Sequence, residues 1–148
     1  MTADRATRRS SMVYKFQKLE IYQLALEYIG LIYELAERLP RSEDFNLKSQ
    51  IIRAATSIAL NVAEGSTSQS DPEQSRFLGI ALRSFIETVA CQDIIELKKY
   101  ATSDELRPSR ELGAKLFAKV QSMKKFLGQS QAKELQSIRR SSVVGRRS

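Results

Sequence analysis

Residues that break helices are scarce in this chain, and they fall between its apolar stretches. Only three prolines and six glycines occur among the 148 residues. So few breakers favour long helices over many short strands, because turns normally rely on glycine and proline. No segment keeps the period-two alternation of a half-buried strand, and the dipeptides typical of hairpins are absent. The sequence therefore predicts an all-α protein.

Apolar residues recur at helical spacing in four long segments. Pro40 ends the first segment, Gly65 ends the second, and Gly128 ends the fourth. Asp71 is the predicted N-cap of the third helix, with Pro72 in its first turn. The predicted helices run over about 18–39, 47–64, 71–100 and 108–127, with a turn from Ser103 as an alternative start for the last. Short loops make neighbouring helices antiparallel, which predicts an up-down-up-down four-helix bundle.

The net charge of +7 is concentrated at the two ends of the chain. Residues 1–15 contain four basic residues and one acidic residue, and residues 128–148 contain five and one. The other 15 basic and 15 acidic residues lie in 16–127 and cancel. We therefore predict a basic N-terminal arm (1–15), a neutral four-helix bundle (16–127) and a basic C-terminal tail (128–148). The polar composition of the two ends predicts disorder there, with helical extension of 129–139 as an alternative for the first part of the C-terminal tail.

The residue types needed for catalysis are missing or isolated. There is no histidine, which removes the commonest general base and metal ligand, and the dispersed glycines form no phosphate-binding loop. Cys91 lies among apolar residues of the third helix and is predicted to be a core thiol. The five tyrosines are predicted to be half-buried anchors. We therefore expect no enzyme activity, no cofactor and no metal.

The first fifteen residues lack the apolar segment of a secretion signal, and no apolar run approaches the length of a membrane span. The single cysteine requires no oxidising compartment. The cytoplasm is therefore the expected location. The arms contain no amphipathic aromatic face, so we expect no membrane partner.

A polar stripe follows the second helix at spacings of three and four residues. It consists of Gln50, Arg53, Ser57, Asn61 and Glu64. One interpretation is a solvated face or a set of buried hydrogen bonds that fix helix register. The other is a line of contacts at a subunit interface or on a nucleic acid.

Two arginines of the third helix also have two interpretations. Arg83 is spaced to pair with Glu87, and Arg76 is similarly close to Glu73. Pairing within the helix is the structural interpretation, and contact with phosphate is the alternative.

The second helix also contains a run that resembles a known bacterial family. The run is Ser49-Gln50-Ile51-Ile52-Arg53-Ala54-Ala55, then Ser57-Ile58, then Asn61-Val62-Ala63-Glu64-Gly65. Further matches are Phe16-Gln17-Lys18-Leu19 with Tyr22 and Ala25, and Phe77-Leu78-Gly79-Ile80-Ala81 with Ser84 and Glu87. Over about 14–127, the chain resembles the four-helix bundle family associated with intervening sequences in 23S ribosomal RNA genes. That family is similar in fold to the accessory protein of diversity-generating retroelements, a homopentameric barrel that binds nucleic acid.

The resemblance implies a ring-like homo-oligomer, most simply a pentamer, and possible contact with RNA, DNA or a reverse transcriptase. The neutral middle of this chain departs from a strongly basic barrel. We therefore expect a non-catalytic oligomer that binds nucleic acid through charge, with little sequence specificity. The alternative is a scaffold or accessory subunit without direct nucleic-acid binding. The candidate contacts are Arg5, Arg8, Arg9, Arg53, Arg139, Arg140, Arg146 and Arg147.

Overall fold

The computed structural model describes residues 12–68 and 70–145, and this part of the chain contains four α-helices and no strand. The helices are α1 (Glu20–Glu37), α2 (Leu47–Ser66), α3 (Asp71–Leu97) and α4 (Ser103–Gly145). Short 3₁₀ turns cover Lys15–Lys18 before α1 and Arg41–Glu43 between α1 and α2. The predicted all-α four-helix bundle is confirmed.

Helices adjacent in sequence pack side by side, and α1 also packs against α4, which closes the bundle into a four-membered ring of helices. The Ser84 hydroxyl on α3 donates to Ser57 Oγ on α2 over 2.9 Å, which fixes one register of this pair. The largest buried apolar side chains are Tyr28, Ile32, Ile51, Ile58, Leu78, Ile95, Leu106, Leu116, Val62 and Val120. Cys91 is buried among them, as the sequence predicts.

A buried network of four polar side chains crosses this core. The Tyr28 hydroxyl of α1 lies 2.6 Å from Thr88 Oγ1 of α3, and Gln92 Nε2 donates to the Tyr28 oxygen over 3.0 Å. The Ser109 hydroxyl of α4 donates to Gln92 Oε1 over 2.7 Å. Thr88 also donates to the Phe85 carbonyl, so the Tyr28 hydroxyl is the donor to Thr88. Three helices are therefore joined by bonds that would be costly to leave unmade.

Three predicted helix ends are displaced by a few residues. Gly65 was expected to end α2, but it is buried inside the helix, where an added Cβ would lie 3.1 Å from Phe77 Cβ. The absence of a side chain at Gly65 allows α2 and α3 to pack closely at this point. Ser70, not Asp71, caps α3, because its Oγ accepts the Glu73 backbone N–H. At the other end α3 ends at Leu97, since Lys99 adopts a left-handed φ of 60° and turns the chain.

Helix α4 takes the alternative start at Ser103 and runs past the predicted end at Leu127, and each difference has a physical reason. The helix begins at Ser103 because Thr102 and Glu105 form a reciprocal capping box, so Pro108 lies within the helix. The helix also continues through Gly128 to Gly145, across the predicted start of a disordered tail. A glycine inside a helix costs only about 1 kcal/mol, and the residues that follow are good helix formers.

We expect Tyr28→Phe to lower the free energy of unfolding by about 1–3 kcal/mol, because it leaves a buried Gln92 N–H without its acceptor. Urea unfolding followed by circular dichroism measures the change. Tyr33→Phe is the matched control, since Tyr33 is exposed, and its effect should stay within about 0.5 kcal/mol. Equal effects of the two substitutions would show that the network contributes little.

Burial raises the pKa of Tyr28 above its ordinary value of 10.0, although its hydrogen bonds with Thr88 and Gln92 act against it. The unfolded tyrosine therefore loses its proton first, so this stabilisation is complete below about pH 10 and declines as pH rises further. The stability advantage of the wild type over Tyr28→Phe should therefore shrink as pH rises from about 10 to about 12. Burial also raises the pKa of Cys91, but both proteins contain this thiol, so its effect cancels. A constant difference across that range would contradict the prediction.

Candidate nucleic-acid interface

An open groove of about 1170 Å³ lies between the first half of α3 and the middle of α4. Four of its lining residues are basic, namely Arg76 and Arg83 on α3 and Lys124 and Lys125 on α4. The other lining residues are Pro72, Ser75, Gly79, Ile80, Leu82, Gln121, Gly128, Gln129 and Ala132. Among the described residues that line the groove, none is acidic. The bundle is neutral as a whole, yet this surface is strongly positive.

Helical spacing and local packing place these cations. Arg76 and Arg83 are seven residues apart, so they project from one face of α3 about two turns from each other. The Arg76 guanidinium lies 4.6 Å from the centre of the Phe77 ring, which restrains it through a cation–π contact. Lys124 extends over Gly79, where a Cβ would lie 3.3 Å from Lys124 Cε. Both walls of the groove thus present positive charge.

The four cations form no ion pair with any carboxylate in the described part of the chain. The pairings interpreted from spacing, Arg83 with Glu87 and Arg76 with Glu73, are therefore wrong for this structure. Helical spacing permits such pairs, but an exposed pair gains too little to hold two long side chains together. The groove cations remain available to an anionic ligand.

At the other end of the seam between α3 and α4, basic side chains are paired with carboxylates. There Arg110 of α4 pairs with Asp93 over 2.9 Å and with Glu96 over 3.2 Å, both on α3. Lys119 pairs with Glu20 and Arg38 with Glu105, which join α4 to the α1 side. Several basic residues of the bundle are thus neutralised by ion pairs, which leaves the open groove as a distinct positive surface.

The predicted nucleic-acid contact residues lie in different parts of the molecule. Arg139 and Arg140 are exposed on the last part of α4, which extends beyond the start of α3. Arg53 is exposed on α2 and does not line the groove. The remaining predicted contacts, Arg5, Arg8, Arg9, Arg146 and Arg147, lie outside the described residues.

The polar stripe of α2 divides into two parts. Ser57 and Asn61 are bonded together on the α3 side, where Ser57 also accepts from Ser84. These two side chains help to fix register, in line with the first interpretation. Gln50, Arg53 and Glu64 are exposed, and Gln50 donates to Asn46 Oδ1 over 2.8 Å. This outward part is the surface that remains for a partner.

A smaller cleft of about 210 Å³ lies between Tyr28, Phe85, Phe117 and Arg110. Its polar atoms belong to the buried network and are already bonded, and Arg110 is paired with two carboxylates. Within residues 12–68 and 70–145, no cluster of acidic and cysteine side chains is placed to hold a metal ion. None of the described helices is long and apolar enough to cross a bilayer.

Sequence reasoning missed Lys124 and Lys125 as contact residues. The sequence does show two neighbouring lysines followed by a glycine one turn later on the same helix. It does not show what faces them, because the opposite wall of the groove lies about 45 residues earlier in the chain. Only the packing of α3 against α4 brings the two basic pairs together.

The fold and the groove define the described part of the chain as an antiparallel four-helix bundle with a basic interhelical surface. A family model described as 23S rRNA-intervening sequence protein matches residues 17–122, and the chain belongs to that family. A solved structure of a protein of unknown function, from the S23 ribosomal protein family of Bacteroides thetaiotaomicron VPI-5482, is similar in fold. Its TM-score is 0.66 at 24% identity, and the match covers 71% of this chain and 98% of that one. No curated protein matches the chain.

Proposed function

We propose that this protein is a non-catalytic nucleic-acid-binding protein, and that the groove between α3 and α4 is its principal contact surface. The observation that supports this is the set of four unpaired cations, Arg76, Arg83, Lys124 and Lys125, on facing walls without a carboxylate among the described lining residues. A phosphate backbone is a regular array of negative charges, and each phosphate neutralised by a basic side chain releases a counterion. Such binding is strong at low salt and depends little on sequence.

The basic arms add to this surface in the proposal. Arg139 and Arg140 extend the positive charge along α4. Self-association would multiply the number of grooves on one assembly, and multivalent contact would raise avidity without new contacts. The name of the family refers to intervening sequences of 23S rRNA, so RNA is the first nucleic acid to test.

Neutralising the groove should weaken binding and reduce its salt dependence. We expect the combined substitution of Arg76, Arg83, Lys124 and Lys125 by Gln to lower RNA affinity roughly tenfold or more. The slope of log affinity against log salt should become shallower by about three, since each lost phosphate contact removes about 0.7–0.9. Fluorescence anisotropy over a salt series measures both quantities.

A charge-matched control separates the groove from overall charge. Substituting Gln for Lys18, Arg41, Lys98 and Lys115 removes the same number of charges from exposed positions outside the groove. This control should retain most of the affinity and the slope. If the two variants weaken binding equally, the groove is not the principal surface, and if the wild type binds no nucleic acid at low salt, the proposed function is wrong.

The second candidate is a protein-interaction role, as a homo-oligomer or as an accessory subunit of a partner such as a reverse transcriptase. It is favoured by an exposed apolar face on the second half of α3. Ile86, Ile94 and Leu97 are 53%, 44% and 77% exposed, and Phe45 in the turn before α2 is completely exposed. Large exposed apolar side chains of this kind are typical of surfaces that other chains cover. This role is compatible with nucleic-acid binding by the groove.

We expect the wild type to form a ring-like oligomer, with a pentamer as the simplest case, and Ile86→Glu with Leu97→Glu to shift it towards the monomer. Burying two new carboxylates at an interface costs several kcal/mol unless they are paired. Light scattering coupled to size exclusion measures the mass. Phe126→Glu, at an exposed apolar position on α4, is the control that should leave the mass unchanged. A wild type that is monomeric at micromolar concentration would contradict the self-association.

A further inference from the structure

We propose that the groove holds one strand of a nucleic acid by its sugar-phosphate backbone, and that the strand continues along α4 to Arg139. This inference rests on the proposed function and specifies the form of the ligand. It makes two claims that nucleic-acid binding alone does not make. The strand enters the groove instead of lying on its rim, and its bound length is set by the distance to Arg139.

The contact between Gly79 and Lys124 gives the register of the two walls. Because α3 and α4 are antiparallel, Arg83 lies near the level of Gln121, and Arg76 lies near the level of Gly128. The lysines therefore stand between the two arginines along the groove, on the opposite wall. A strand placed between the helices meets positive charge from alternate sides over a distance of about 10 Å, which is two helical turns.

The floor of the groove is the strip between the two helices. Each helix contributes one glycine to the lining, Gly79 on α3 and Gly128 on α4. At Gly128 an added Cβ would meet nothing within 4 Å, so packing within the protein does not require a glycine there. A glycine inside an exposed helix makes the helix less stable than almost any other residue would. What Gly128 does supply is space beside Arg76, Lys124 and Lys125. Axes of packed helices are only about 8–10 Å apart, so this space admits a single backbone and excludes a duplex from the floor.

Arg139 continues the groove face beyond the bundle. It follows Gln121 by 18 residues, which is five helical turns, so the two side chains share one face about 27 Å apart. The acidic residues Asp71 and Glu73 each neighbour Pro72 in sequence, and one residue turns a side chain about 100° around the helix, away from this face. If the strand keeps the rise of about 3.4 Å per nucleotide that one strand has in B-form geometry, the distance corresponds to about eight nucleotides.

Apart from the side chains of Ser75, Gln121 and Gln129 and the two arginines, the described lining of the groove has no groups suited to recognising bases. None of the described lining residues is aromatic, whereas proteins that hold bases of single strands use aromatic stacking platforms. The cations reach phosphates, which are the same in every sequence. The ligand recognised is therefore the backbone itself, in DNA or RNA.

Filling the floor without changing charge tests whether the strand enters the groove. Gly128→Gln should lower affinity for a ten-nucleotide single strand by about tenfold or more, while thermal unfolding shows a fold at least as stable as the wild type. Gly30→Gln is the matched control, because Gly30 is also inside an exposed helix turn with open space around a Cβ, but on α1. It should leave affinity unchanged. A Gly128→Gln protein that is folded and binds as tightly as the wild type overturns the inference.

Length and base content test the path along α4. Arg139→Gln should weaken a ten-nucleotide strand several-fold and leave a four-nucleotide strand unchanged, since only the longer strand reaches that position. A base-free phosphodiester ten-mer should bind within about threefold of the same strand with bases. If bases stacked on the protein, their removal would weaken binding at least about fivefold for each base.

The same titrations separate failure of this inference from failure of the proposed function. Absence of binding by any strand or duplex at low salt would contradict both. Salt-dependent binding in which a ten-base-pair duplex competes as well as the single strand, or in which Arg139→Gln weakens the four-mer equally, contradicts only the single-strand path. Preference for the single strand, together with the Gly128 effect, supports it.

Discussion

Gln92 is the residue on which the relative position of α3 and α4 depends. Its amide nitrogen donates to Tyr28 on α1 and its amide oxygen accepts from Ser109 on α4, so one buried side chain joins three helices. Sliding α3 by one residue would turn Gln92 about 100° out of the interior and leave buried polar groups unpaired. Apolar packing alone would tolerate small shifts more readily, because it is not directional. The network therefore selects one register among several that would bury similar area.

That register has consequences about 20 Å away along the same pair of helices. It brings Gly79 beneath Lys124 and Arg76 near Gly128, so the small residues and the cations of the two walls coincide. It also brings Arg110 opposite Asp93 and Glu96, which closes the other end of the seam with ion pairs. One end of the seam is thus neutral and closed, and the other is positive and open. The groove is a result of how two helices are aligned, and no single segment of sequence defines it.

This explains what could and what could not be predicted from the sequence. Four helices in antiparallel order follow from the scarcity of breakers and the apolar spacing, and burial of Cys91 follows from its neighbours. For the start of α4 the sequence offers two signals, the conspicuous Pro108 and the weaker capping box of Thr102 and Glu105, and the weaker one determines the structure. Gly65 and Gly128 were interpreted as stops, although Gly65 serves close packing and Gly128 is part of an uninterrupted helix.

The site is harder to predict than the fold because the net charge of a segment does not show where its charged residues lie on the surface. Basic and acidic residues cancel over 16–127, so the net charge there is zero. That sum does not reveal the groove, whose described lining residues include no carboxylate. Helical periodicity assigns Arg76 and Arg83 to one face of α3, but it does not reveal whether a neighbouring carboxylate is held in place. Exposed pairs gain little, so their formation is decided by local rotamers and packing. The facing pair, Lys124 and Lys125, could be associated with them only through the tertiary register.

The continuity of α4 changes what its basic residues can do. In a flexible tail, each residue that becomes ordered on binding costs about 1–2 kcal/mol of backbone entropy, which offsets part of each phosphate contact. Residues in a helix have already lost this backbone entropy when the protein folds. Arg139, which lies on α4, therefore keeps a fixed distance from the groove. A flexible arm would add affinity for a strand of any length, because it can fold back onto a short one. A cation at a fixed distance adds affinity only when the strand is long enough to reach it, so a preference for length is the physical signature of a rigid extension.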